Sequence, residues 1–174
     1  MQVTEYDMKE TVLVQDIMNR IERIDAEYVN LESDLIYKQQ PFLISLILGY
    51  RVDLETEELE LVTKCIFVIW EYFKSNDTVK RIKIVDEQFD RIHERNFHLL
   101  RYFEKESKKG KLELVTRDLE HLKAKALYAS MMHMLQIQNP LANSLAKTRS
   151  VVLVGMKCLI ECFEEIIQNG EKAL

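Results

Sequence analysis

From Thr4 to Gln40 the chain contains neither glycine nor proline. Those are the strongest helix interrupters, glycine through backbone freedom and proline through its missing N–H. Over the same stretch Val14, Ile21, Tyr28 and Leu35 recur every seven residues, with Ile17, Ile24 and Leu31 between them. Such a rhythm marks one seam of an α-helix that packs along its whole length. The sequence predicts a single long first helix, capped by Thr4 with Asp7 three residues on and Val3 stapled to Met8.

Breakers are scarce everywhere. The 174 residues hold 4 Gly and 2 Pro, where average usage gives roughly 12 and roughly 9. Turn-rich sandwiches, barrels and propellers are therefore excluded. Pro41, Gly49, Gly110, Pro140 and Gly170 fall where helical periodicity stops, and Gly155 alone lies inside a helix. Pro41 starts a short apolar helix running to about Tyr50. Asp53 or Thr56 caps the next, with Glu55, Glu57, Glu58 and Glu60 at its positive end, and it runs to about Lys74.

A fourth helix is expected from about Thr78 to Ser107, with a seam of Ile82, Val85, Phe89, Ile92, Asn96, Leu99 and Phe103. Asn96 is the polar member, either buried and setting register or lying near a solvated flank. Lys108-Lys109-Gly110-Lys111 reverses the chain, with Gly110 in the left-handed region. A fifth helix follows from about Lys111 to Gln138, ended by Asn139-Pro140. The last helix starts between Ser144 and Ser150 and ends near Asn169-Gly170. Its first half has almost no polar face, so neighbours or a partner must cover it. The expected fold is one all-α domain over 1–174. It is a mostly antiparallel helical bundle of five to six helices, with the first, fourth and fifth long.

A formal charge of −5 gives no overall signal for nucleic acid. Cys65, Cys158 and Cys162 are too few for a disulfide framework and read as reduced core thiols. The N-terminus lacks an apolar signal segment, and the apolar runs Pro41–Leu48, Cys65–Trp70 and Val151–Met156 are too short to span a bilayer. The expected setting is cytoplasmic, with no membrane.

The histidines are the natural place to look for chemistry. His93 and His98 stand five apart, on different helix faces, so the metalloprotease helix motif does not apply. The expected hairpin places His98 and His121 at one level, flanked by Glu94 and Asp118. These four are the candidate metal ligands, weighed against an ordinary solvated face. No catalytic residue, phosphate loop or cofactor is expected. Lys105, Lys108, Lys109 and Lys111, with Arg101, form a basic hairpin tip diluted by Glu104 and Glu106. Met131, Met132, Met134 and Leu135, with Val152, Gly155 and Met156, are the interface candidates, because methionines suit irregular helix-binding surfaces. The functional expectation is a non-enzymatic helical interaction or regulatory protein that forms a homodimer or meets a helical partner. The alternatives are a nucleic-acid-associated protein using the basic tip and a metal-dependent helical enzyme.

Overall fold

The computed structural model describes residues 5–105, 107, 110, 118–137 and 146–172. Among them the chain is all-helical, without a strand. Eight helices have defined bounds: α1 (Glu5–Ile21), α2 (Ala26–Gln39), α3 (Pro41–Tyr50), α4 (Thr56–Phe73), α5 (Asp77–Arg81), α6 (Asp86–Lys105), α7 (Lys125–Ile137) and α8 (Ala146–Lys172). That exceeds the five to six expected, because each predicted long rod is broken once. The Thr4 cap with its Val3 staple, the Lys108–Lys109 and Lys111 turn and the Asn139-Pro140 stop lie outside the described residues.

The first break falls at residues 22–25. Asp25 caps α2, its carboxylate accepting from the Tyr28 N–H at 2.8 Å. Val14, Ile17 and Ile21 are buried as the seam requires. Beyond the break the inward face shifts by one residue: Glu32 and Ile36 are buried, while Leu31, a seam residue, is 62% exposed. A one-residue step rotates a helix face by about 100°. The break lets α1 pack on α4 and α7 while α2 packs on α3 and α5. Near it, Glu71 of α4 accepts from the Tyr28 hydroxyl and pairs with Lys74, whose ammonium also reaches Glu32 at 2.9 Å. The Trp70 indole N–H donates to the same Glu32 at 2.9 Å.

The second break separates α5 from α6 at residues 82–85. The seam pair Ile82 and Val85 turns outward, at 44% and 51% exposure, and Ile84 is buried instead. Gln40, fully buried between α2 and α3, holds this extended piece. Its Nε2 donates to the Val79 and Ile82 carbonyls at 2.6 and 2.7 Å, and its Oε1 accepts from the Ile84 N–H at 3.0 Å. Nothing in the periodicity flags this glutamine, because all its partners are about forty residues away.

The third break interrupts the predicted fifth helix at residues 121–124. The N-terminus of α7 is thereby buried among α1, α4 and α8, and two distant carboxylates cap it. Glu164 Oε1 accepts from the Lys123 and Ala124 N–H groups at 2.9 and 2.7 Å. Glu10 Oε1 accepts from the Leu127 N–H at 3.2 Å and the Tyr72 hydroxyl at 3.4 Å. Burial pushes both carboxyls above the usual carboxylate range, against the hydrogen bonds that pull them down. Glu10 Oε2 is buried with no hydrogen-bond partner.

Three smaller features differ from the sequence reading. The N-cap of α4 is Glu55, whose N–H donates to Glu58 at 2.9 Å, so Thr56 is the first helical residue. Gly110 is helical, not left-handed, and its N–H donates to Ser107 Oγ at 3.2 Å. Gly170 lies within α8 instead of ending it, and a Cβ there would come within 2.3 Å of Thr78 Cγ2, so its absence seats α5 against α8.

Replacing Gln40 by Ala strips three buried backbone groups of their partner. Urea unfolding is expected to show a loss of about 3 kcal/mol. For Glu10 and Glu164 the folded state binds protons more tightly than the unfolded chain. Their stabilising protonation is present at acid pH and lost as pH rises through the raised folded values. Urea midpoints measured from pH 4 to 8 are therefore expected to move in favour of Glu10→Gln over the parent as pH increases.

Candidate functional site

Two features stand out once the core is assembled: a polar cluster where α6 meets α8, and the uncharged helix α3 with Leu48 exposed. The two long helices run antiparallel. Thr78 lies against Gly170, Arg91 pairs with Glu165 at 2.7 Å, Arg95 with Glu161 at 2.9 Å, and Asn96 with Cys158.

The cluster is centred on Lys157, which is 5% exposed. Its ammonium donates to Asn96 Oδ1 and to Asp118 Oδ1, the latter at 2.7 Å, and lies 3.4 Å from Glu161. The Asn96 amide donates in turn to Glu161 and to Cys158 Sγ. Asn96 is thus buried with Phe89 and Ile92 of its seam, at 4% exposure, and does not lie on a solvated flank. A lysine in such surroundings is tolerated only because two carboxylates and an amide replace its water shell.

On one side of this cluster opens a cleft of about 220 Å³ between α6, α7 and α8, walled by Leu99, Leu100, Met132, Leu153 and Val154. Tyr128 and Ser150 also line it, with Asn96, Asp118 and Lys157 contributing its polar end. On the other side, across Asp118 and Leu99, a wider cleft of about 560 Å³ is lined by Arg95, His121, Glu161, Glu164 and Glu165.

The candidate metal ligands fall into two places. His98 and Glu94 are exposed neighbours on α6, with Nε2 and Oε1 3.7 Å apart. Asp118 is engaged by Lys157, and His121 lines the wider cleft beside it. Among the described residues no group of three or more His, Cys, Asp or Glu side chains is placed to hold a metal ion. The cysteines are buried and unbridged. Burial pushes the thiols of Cys65 and Cys158 up to about 12, and Cys162 higher still. The side chains of the basic tip at Lys105, Lys108, Lys109 and Lys111 lie outside the described residues.

Of the seven interface candidates, Met131, Met134, Leu135, Val152, Gly155 and Met156 are buried within the chain's own core. Met132 is half-buried on the wall of the smaller cleft. At Gly155 the close neighbour is a side chain: a Cβ there would meet the Tyr50 hydroxyl at 1.9 Å. The end of α3 is thereby set down on α8.

Sequence reasoning passed over the rest of α3. Its ten residues, PFLISLILGY, include no charge, yet only Leu43 among them is buried. Leu48 is 56% exposed, and Val52 just beyond the helix is 84% exposed. The signal was present, since a helix apolar all round needs cover on every side. Packed on α2 and α4, the helix keeps Phe42, Ile44, Leu46, Ile47 and Tyr50 half-buried against the core and leaves Leu48 outside. Near its start Phe42 meets Phe89 of α6, the ring centroids 4.9 Å apart and the planes tilted by 46°, and a ladder of rings continues through His93 to Phe97, over which Arg101 sits at 4.7 Å. Among the described residues no helix is long and apolar enough to cross a membrane. No known family, curated protein or solved structure gives a significant match to this chain.

Gly155→Ala is expected to destabilise the fold by about 1–3 kcal/mol through overpacking against Tyr50. Tyr50→Phe removes the clashing oxygen, so the double variant should recover most of that loss. A thermodynamic cycle from urea unfolding is expected to give a coupling above about 0.5 kcal/mol.

Proposed function

We propose that this chain is a non-enzymatic helical interaction module that self-associates through α3. The observation that carries this reading is an uncharged, apolar helix that presents Leu48 to solvent, with Val52 just beyond it exposed as well. We read these two side chains, four residues apart, as the centre of an apolar interaction patch. A second copy is the occupant that the flanking groups favour. Tyr37, 70% exposed, and the exposed Lys38 border the N-terminal end of α3, whereas Val52 and the exposed Asp53 border its C-terminal end. Two copies of α3 packed antiparallel about a two-fold axis bring the Tyr37–Lys38 end of each copy toward the Val52–Asp53 end of the other. They also set opposite helix dipole ends side by side.

In this reading the helices form a mostly antiparallel bundle, one domain that presents α3. Its buried polar groups serve that architecture: Glu10, Glu164 and Gln40 hold helix ends, and Lys157 and Asp118 neutralise each other while Asn96 accepts a further hydrogen bond from the ammonium. The three buried, unbridged thiols fit a reducing compartment and support a cytoplasmic setting.

Light scattering after size exclusion is expected to give twice the chain mass of 20.6 kDa. Leu48→Lys is expected to halve it without changing the helical circular dichroism, and to remove the concentration dependence of the melting temperature that a dimer shows. A parent protein that stays monomeric at high micromolar concentration, or a Leu48→Lys variant that still dimerises, would overturn the proposal.

A further inference from the structure

The smaller cleft between α6, α7 and α8 is independent of α3 and has its own chemistry. Its walls are aliphatic and thioether side chains, and its polar end is charge-balanced: the Lys157 ammonium meets Asp118 at 2.7 Å, with Asn96 accepting beside it. A ligand carrying net charge would bring an uncompensated ion to a partly desolvated place where each existing charge already has its partner. A neutral molecule meets no such cost, and its apolar body gains by covering Leu99, Met132 and Leu153. One wall group remains to recognise a polar atom. The Tyr128 hydroxyl makes no hydrogen bond to the described residues, whereas Ser150 is already engaged. Burial and the nearby charges of Asp118 and Glu161 push that phenol up to about 12, which keeps it an O–H donor at physiological pH.

We infer that this cleft binds a small neutral amphipathic molecule, with its apolar body against Leu99, Met132 and Leu153 and its oxygen accepting a hydrogen bond from Tyr128. A volume of about 220 Å³ matches about seven waters at about 30 Å³ each, so the ligand is short-chained or holds a single ring.

The test is calorimetric titration of the full chain with 1-hexanol, hexanoate and hexylammonium, which share an apolar body and differ in charge. Hexanol is expected to bind saturably, with both ions at least tenfold weaker. Tyr128→Phe is expected to weaken hexanol several-fold with unchanged helical content. Met132→Trp, which fills the cleft, is expected to abolish binding, and Leu153→Phe provides the milder narrowing if the tryptophan variant does not fold. Leu48→Lys should leave hexanol binding intact whatever it does to the oligomeric state. Absence of saturable hexanol binding, equal binding of either ion, or undiminished binding in the cleft-filling variants would overturn the inference.

Discussion

Each time a helix stops inside a protein it leaves several backbone N–H or C=O groups without an intrahelical partner, and these must be bonded before they can be buried. This chain stops its predicted rods at residues 22–25, 82–85 and 121–124. Asp25 handles the first locally. The other two are held by side chains from far along the chain, Gln40 for the α5–α6 break and Glu10 with Glu164 for the start of α7. Without those bonds the breaks would cost more than straight helices. A straight helix, in turn, would prevent α1 and α2 from packing against different neighbours.

Such fastenings carry a penalty of their own. A buried carboxylate loses hydration, and the raised protonation of Glu10 and Glu164 is the visible consequence. The bonds are directional, however, and a directional bond chooses one arrangement where greasy surfaces alone allow several. Glu10 ties α1 to α7, Glu164 ties α8 to α7, and Lys157 joins α8 to both Asn96 of α6 and Asp118. The polar residues act as register pins within a core whose packing is otherwise non-directional.

Covering the first half of α8 and Met131 and Met134 of α7 from within leaves the surface to be distinguished by α3 and by the cleft beside Lys157. The two differ in kind. One is an apolar helix with Leu48 exposed, and the other a cleft between helices. Residues 22–25 separate α2 from α1, and residues 121–124 precede α7, which carries Met132 to the wall of the cleft opposite Leu153.

Helical class, the Pro41 start of α3 and the apolar identity of α8 were legible in the sequence, because scarce breakers and a 3.5-residue rhythm are local properties. The buried Val14, Ile17 and Ile21 were equally legible as a seam. Where that seam changed phase, at Leu31 and at Ile82, was not. Helical periodicity describes one helix against an unspecified neighbour, and the phase depends on which neighbour is met. Gln40 and Glu10 looked like ordinary surface residues for the same reason: their partners lie about forty or more positions away. The sequence by itself determined that this chain is helical and which residues seek cover. Only the tertiary structure decided that Met131 and Met134 of α7 are covered from within while Leu48 of α3 is left exposed, because burial belongs to the whole set of contacts and not to any stretch of chain.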